Sequence, residues 1–330
     1  MEERRFGTTD LRVSLIGAGT WGIGGPAVAG TTPIGWGEVD DRTSIAALER
    51  ACDRGVTFFD TADFYGLGHS EELLGRALGN RPGVVIATKV GHRKGADGAF
   101  TTDYSGSYIQ TACELSLRRL RRERIDFYQL HSARLGDLER GECAEAMELL
   151  RAQGKVRAWG ISLNTFRPAP EAEYIVRHRL VQGFQLVLNI INQRAVPLLE
   201  AMQDAGYGVL ARMPLQFGLL TGKFTPASKF AENDHRSFRL RPEILAKTLA
   251  ALETVWPLAE KYGTTPTGIA LAFCASFPQV STIIPGIRTP AQAVENTAPL
   301  VCLSDEDVAW LTRGLAQRWA ELMEVVETGG

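Results

Sequence analysis

The chain reads as an α/β protein of the (β/α)8 barrel class, and three observations carry that reading. Eight short apolar runs rich in Val, Ile and Phe recur along its 330 residues. Longer segments with helical patterning separate them. No Pro- or Ser-rich linker divides the chain, so residues 1–330 are expected to form a single domain. Strands alternating with helices imply parallel strands joined by right-handed crossovers. Strands buried on both faces read as unbroken apolar runs, as these do. Eight such units in roughly 250 residues fit a closed barrel better than a doubly wound sheet.

The runs, in order, are 14–19, 56–60, 84–89, 125–131, 156–162, 183–189, 207–212 and 280–286. The helical segments between and after them are expected at 42–54, 70–79, 105–122, 140–153, 168–179, 193–205, 242–262 with 266–276, and 289–297. The tail, 304–326, opens on the cap-like "SDED" and carries two helical stretches interrupted near Gly314. These extra C-terminal helices are expected to pack outside the barrel. Ser70 is expected to cap the second helix, with Leu73 and Leu74 turned inward.

Residues 17–22, "GAGTWG", match the glycine pattern of dinucleotide-binding Rossmann folds. That motif needs a helix to follow at once, so that its N-terminus meets the pyrophosphate. A long Gly- and Pro-rich loop follows here instead. The second run ends at Asp60, some forty residues on, where the motif expects an acid after about twenty. A loop at a barrel rim, carrying Trp21 and Trp36, fits better.

Composition narrows the function. Apolar content is 45%, charged content 22% and formal net charge −2, which suits a large core and gives no basic surface for nucleic acid. The basic run "RRLRRER" (118–124) reads as a solvated helix end. Five cysteines, none in CxxC spacing, fit reduced thiols in the cytoplasm. The five histidines are scattered, so no metal site is expected. The N-terminus lacks the apolar core of a signal peptide, and no run approaches the ~18 apolar residues of a membrane span.

Barrel chemistry sits at the C-terminal ends of the strands. The second, third and fourth runs end at or on Asp60, Lys89 and His131, and Tyr65 follows five residues after Asp60. Charges there are costly unless paired or used. A free tyrosine titrates near 10, and a nearby ammonium stabilises its phenolate. Lys89 would supply that ammonium, Asp60 would hold it, and His131 could hydrogen-bond a carbonyl oxygen beside Tyr65. Such a group can protonate an alkoxide as hydride reaches carbon, which implies a nicotinamide cofactor. Singly, each residue has a plain structural reading. Asp60 could cap an Asx turn, Lys89 could be its ion-pair partner, His131 a satisfied buried histidine and Tyr65 a rim aromatic. Jointly, in this order, they point to catalysis.

The chain resembles the aldo-keto reductases, bacterial-type members included, along nearly its whole length. The resemblance rests on "GVTFFDTADFYGLGHSEELLGRAL" (55–78), "VVIATKVG" (84–91), "IDFYQLHSA" (125–133), "GKVRAWGISLN" (154–164), "PLQFGLLTGKF" (214–224) and "IIPGIRTPAQAVEN" (283–296). It implies a carbonyl reductase using NADP(H) or NAD(H), with its catalytic tetrad on Asp60, Tyr65, Lys89 and His131. It further implies cofactor contacts from Thr20, Trp21, Asp60, Ser162, Asn164, Gln185 and Arg212. The segment carrying Pro214, Leu215, Gly218, Leu220, Gly222 and Lys223 resembles the strap over the pyrophosphate. Gly286, Arg288, Gln292, Glu295 and Asn296 fall on the adenosine-phosphate stretch.

Three positions depart from the family pattern. Arg212 stands where many members stack an aromatic ring on the nicotinamide. Gly286 and Gln292 stand where well-studied members place a Lys and an Arg for the 2′-phosphate. Arg288 could make that contact instead, so NADP(H) is favoured, with NAD(H) the alternative. Trp21, Trp36, Phe64, Tyr65 and His131 are the expected substrate contacts, with Tyr104 and Phe217 further candidates. The aromatic walls and the polar insert 30–41 suggest a sugar or keto-sugar among small carbonyl or alcohol substrates. The loop 91–98, with His92, Arg93 and Lys94, is expected to be solvated. Two rival readings are a regulatory, non-catalytic nicotinamide-binding member of the family and a barrel isomerase without nicotinamide. Nothing in the sequence assigns an oligomeric state.

Overall fold

The computed structural model describes residues 1–329, and side chains through residue 327. Eight parallel strands form one sheet: β1 Ala18–Gly19, β2 Phe58–Asp60, β3 Val85–Val90, β4 Ile125–His131, β5 Val156–Ser162, β6 Gly183–Val187, β7 Gly208–Arg212 and β8 Thr282–Ile284. They lie side by side in chain order. Parallel bridges from Ile16 to Ile283 and from Gly19 to Gly286 bring β8 back to β1 and round the sheet into a barrel. Helices cover it outside, as right-handed crossovers require.

The register follows from the sequence pattern. On β4, Ile125, Phe127, Tyr128 and Leu130 are all buried, so both faces are apolar. Phe127, Val85, Ala87, Ala158 and Leu210 fill the barrel interior with Phe58 and Ile284. Leu130, Ile86, Ile161 and Val209 face the helices and join the larger core.

Several boundaries differ from those expected. The first apolar run splits. Arg12–Ser14 pairs antiparallel with Glu3–Arg5 as an N-terminal hairpin, and the barrel strand is the short Ala18–Gly19, with Ile16 bridging to Ile283 just before it. That hairpin closes the floor. Phe6 is fully buried and packs edge-on against Phe127 at 4.8 Å between ring centroids. Gly208 and Gly183 leave room for it, since a Cβ at either would come within 2.5 Å of its ring. The expected helix 242–262 breaks into Pro242–Leu252 and Pro257–Lys261, because each proline can only open a helix. The segment 193–205 is helical only from Val196, starting as a 3-10 turn. A short helix, Leu135–Glu139, precedes Glu142–Ala152, and Gly141 turns between them at φ +78°.

Ser70 does not cap the second helix, His69–Leu78. Gly68, left-handed at φ +104°, stands at that position and offers no side chain. Ser70 Oγ is buried, donates to Thr20 O at 3.0 Å and bonds the hydroxyls of Thr20 and Thr61. This knot ties the helix to the ends of β1 and β2. Leu73 and Leu74 do turn inward. The basic run is only partly solvated. Arg119 pairs with buried Glu71, and Arg122 with Asp126.

The C-terminal tail runs Asp305–Ala309, a wide turn over Trp310–Gly314, then Ala316–Gly329. Ser304 caps it, accepting from Asp307 N. Trp319, Leu322 and Met323 are buried against the barrel's outer layer. Among the described residues no helix is long and apolar enough to cross a membrane, and no cluster of His, Cys, Asp or Glu could hold a metal.

Candidate active site

Parallel register lines up the polar residues at the mouth. Lys89 on β3 stands beside Gln129 on β4, and His131, Ser162 and Gln185 form a row across β4, β5 and β6. Asp60 ends β2. Tyr65 follows on a 3-10 turn whose left-handed Gly66 and Leu67 swing the chain over the barrel end.

Lys89 is fully buried. Its ammonium donates to Asp60 Oδ2 at 2.6 Å, Thr61 O at 2.8 Å and Tyr65 Oη at 3.2 Å. An ammonium has three donors, and these acceptors use all of them. Burial disfavours its charge, but Asp60 and then Tyr65 outweigh that and raise its pKa above the ordinary lysine range. The other Asp60 oxygen accepts from Gln185 Nε2 at 2.7 Å and Gln129 Nε2 at 3.0 Å. The carboxylate is thus fixed from three strands, and the cation by the end of β2 and the turn that follows it. Tyr65 receives a hydrogen bond from Lys89, which leaves its own O–H free to donate.

His131 stands edge-on to Tyr65, with ring centroids 5.9 Å apart. Its backbone oxygen accepts from Tyr104 Oη at 2.6 Å. Gly91, at φ +120°, makes room for Tyr104, because a Cβ there would fall inside that ring. His92 stacks on His131 at 3.9 Å and 16°. Burial, then His92, Lys89 and Arg212, hold the His131 pKa well below the usual histidine range. Burial, then Lys89, pushes His92 down to about 4. Both imidazoles are therefore neutral near pH 7, and a neutral imidazole can donate to a carbonyl oxygen.

These groups floor a cavity of about 620 Å³. Thr20, Trp21, Asp60, Ser162, Gln185 and Arg212 line it. So do Pro214, Leu215, Gly218, Gly286, Arg288 and Gln292. Of the remaining expected cofactor residues, Leu220 and Asn296 are buried outside its lining. Gly222 lies next to Lys223, which pairs with Glu295. Asn164 is turned inward to its own loop, where Oδ1 accepts from Phe166 N and Arg167 N. All five expected substrate residues line the cavity, as does Phe217, but Tyr104 lies beneath it. Arg212 reaches back to β5, donating to Leu163 O and Thr165 Oγ1 at 3.1 Å each.

Four residues at the mouth were not singled out by sequence reasoning. Gln129 was hidden in an apolar strand motif. His92 belongs not to a solvated loop but to a hairpin, His92–Lys94 with Phe100–Thr102, that turns its ring into the cavity. His235 packs between Trp21, at 4.4 Å, and Trp36, at 4.5 Å, and neither ring nitrogen has a partner among the described residues. Arg239 lines the cavity as well. The polar insert and the segment beyond Lys223 meet across the mouth, where His235 N donates to Gly35 O and Arg288 Nη2 to Glu38 O. Non-glycine residues Met213, Gln216 and Phe217 hold positive φ beside the cavity, the strained backbone that tends to gather at functional sites.

The profile described as "Aldo/keto reductase family" matches residues 15–314. The NADH-specific methylglyoxal reductase of Escherichia coli is 31% identical, over 96% of this chain and 99% of that protein. A fission-yeast protein named aldo-keto reductase yakc [NADP(+)] is 30% identical, over 83% and 82% of the two chains. The solved structure of the glycerol dehydrogenase AKR11B4 from Gluconobacter oxydans superposes with a TM-score of 0.79 at 31% identity, covering 96% and 95%. A profile match over most of the chain, relatives spanning it end to end and a shared barrel agree: the chain belongs to the aldo/keto reductase family of NAD(P)H-dependent oxidoreductases.

Proposed function

We propose that the protein is an NADPH-dependent reductase converting an aldehyde or ketone to the alcohol, with Tyr65 as general acid, Lys89 and Asp60 tuning it, and His131 orienting the carbonyl. The observation that carries this is the Lys89 ammonium, which bridges Asp60 and the Tyr65 oxygen at the base of the cavity. A cation 3.2 Å from the phenol favours the negative charge that grows on that oxygen as its proton leaves. His131, neutral and beside Tyr65, offers an N–H to the same carbonyl oxygen.

The lining suits a dinucleotide. Arg212 and Arg288 face it without a carboxylate partner, and a Cβ at Gly286 would meet only open space. Ser162, Gln185 and Arg212 would hold the nicotinamide end, the loop 214–218 the diphosphate, and Gly286, Arg288 and Gln292 the adenosine phosphate. When bound, the reduced nicotinamide supplies hydride to the carbonyl carbon. Near Gly286 the lining offers the Arg288 guanidinium and no carboxylate, which favours a 2′-phosphate over a bare ribose diol. Polar atoms without partners around the cavity, on Trp36, His131 and His235, support a hydroxylated carbonyl compound such as a sugar or keto-sugar.

A panel of aldehydes, ketoses and aryl ketones, run with NADPH and with NADH, tests this. Tyr65→Phe should lose about 10²–10⁴-fold in kcat while still binding cofactor. Full activity in that variant removes Tyr65 from its role. A lower KM for NADH removes the Arg288 assignment. No turnover of any carbonyl compound, with NADPH still bound, favours a regulatory member.

A further inference from the structure

We propose that a second, smaller cavity beside the main one is an anion subsite built on Arg239 and Arg212, and that the substrate is a carbonyl compound bearing a carboxylate. For turnover, though not for binding, this rests on the reductase reading above. The small cavity has a volume of about 90 Å³, the scale of a carboxylate rather than of a ring. Trp21, Thr165, Arg212, Phe217 and Arg239 wall both cavities, so the two are adjacent.

The charges in it are unbalanced. Arg239 makes no hydrogen bond or ion pair among the described residues, and its Nε is buried without a partner. Its guanidinium lies over the rings of Phe217, at 5.6 Å, and Phe238, at 5.0 Å. Arg212 uses its outer nitrogens on Leu163 O, Thr165 Oγ1 and Met213 Sδ, and its Nε is likewise buried without a partner. No acidic residue lines the small cavity, and the one that lines the large cavity, Asp60, is already paired with Lys89. Two partly buried guanidinium groups with free N–H donors call for a bound anion.

The cofactor diphosphate is the competing source of negative charge. Of the loop proposed for the diphosphate, Pro214, Leu215 and Gly218 line only the large cavity, as do Gly286, Arg288 and Gln292 of the adenosine stretch, while Gln216 and Phe217 wall both. The small one is closed instead by Phe166, beyond β5, and by Val326 of the C-terminal helix. No residue of the adenosine stretch walls it. An anionic group there would be carried by the substrate, whose carbonyl lies at Tyr65; the Tyr65 ring is 5.9 Å from that of Trp21, which walls both cavities.

The test compares 4-carboxybenzaldehyde with benzaldehyde. The wild-type enzyme should favour the carboxylate in kcat/KM by about tenfold or more, the worth of one charge-assisted hydrogen bond. Arg239→Gln should bring that ratio towards one, and Arg239→Lys, which keeps the charge, should retain part of it. A wild-type ratio near one, or a ratio that survives Arg239→Gln, overturns the proposal. So does an Arg239→Gln variant whose main change is a higher KM for NADPH, which assigns the guanidinium to the cofactor. A titration of benzoate against benzamide, read by quenching of Trp21 and Trp36, needs no turnover. Tighter binding of benzoate, lost in Arg239→Gln, supports the subsite even if no aldehyde is reduced, a result that would count against the reductase reading alone. Equal binding of the two overturns the subsite.

Discussion

At the floor of the barrel, Phe6 fills the space left by Gly183 and Gly208 and meets Phe127, with Leu11, Val13 and Phe58 around it. Every member of that cluster is apolar. At the mouth, about 13 Å further along the strand from Phe127 to His131, buried Lys89 is paired with Asp60, two histidines stack face to face, and polar atoms of Trp36, His235, Arg212 and Arg239 have no partner. The same strands carry both ends. The floor residues are chosen for packing alone. The mouth residues carry desolvation costs that packing does not return, which is the usual signature of a site selected for ligands.

The largest expected effect cuts at the mouth. Lys89→Met removes the cation and leaves Asp60 buried beside Gln129 and Gln185. Breaking a buried pair this way costs about 3–5 kcal/mol, towards the lower end here because the two amides still donate to the carboxylate. Turnover should be lost as well. The double variant Asp60→Asn/Lys89→Met leaves no unpaired charge, so it should regain much of the stability and none of the activity. Urea unfolding and steady-state kinetics on the same preparations check both. If the double variant is no more stable than Lys89→Met, the pair is not what holds the mouth together.

The contrast between the ends also explains what could be read from sequence. The barrel was legible because each strand is a continuous apolar run, as seen in "IDFYQLH", and because each crossover carries a helical pattern. That Asp60, Lys89 and His131 would gather at one end of the barrel was legible because they interrupt such runs at their ends. Ser70 misled because its local setting resembles a cap, while its true partners, Thr20 and Thr61, come from other strands. His92 and His235 were not legible, since nothing in their neighbours encodes which loop folds over the mouth. The N-terminal hairpin was missed for a similar reason: the run 14–19 is continuous in sequence but divided between floor and barrel.

A cut at the floor should separate stability from chemistry. Phe6→Ala empties a fully buried aromatic site and should cost about 3–5 kcal/mol. With the mouth untouched, kcat at a temperature where the variant is folded should stay near wild type. A matched loss of kcat would mean that packing at the floor sets the geometry of Tyr65 and Lys89, and the two ends would no longer be independent.

The smallest expected effect is a pH dependence that only the mouth can produce. Burial is the main cause that lowers His92 to about 4 and His235 to about 3, with Lys89 and Arg239 respectively next. In the unfolded chain both titrate near 6.5. Above that pH neither state is protonated, and these groups add no slope. Below it the unfolded chain takes up protons that the folded chain refuses, so stability falls as pH falls from about 6.5 towards the folded values. Each imidazole should account for ~1–3 kcal/mol between pH 7 and pH 4.5. Carboxylates held low in the fold, such as Asp103 and Asp234, push stability the same way, so the wild-type curve alone does not isolate the histidines. His92→Phe and His235→Phe do, because each removes one proton site and keeps a ring in the aromatic wall. Urea midpoints for both variants should fall less between pH 7 and 4.5 than those of wild type. Phe6→Ala, at a floor cluster without a titratable group, should fall as steeply as wild type. Parallel curves for the histidine variants would show that the fold does not lower the pKa values of His92 and His235.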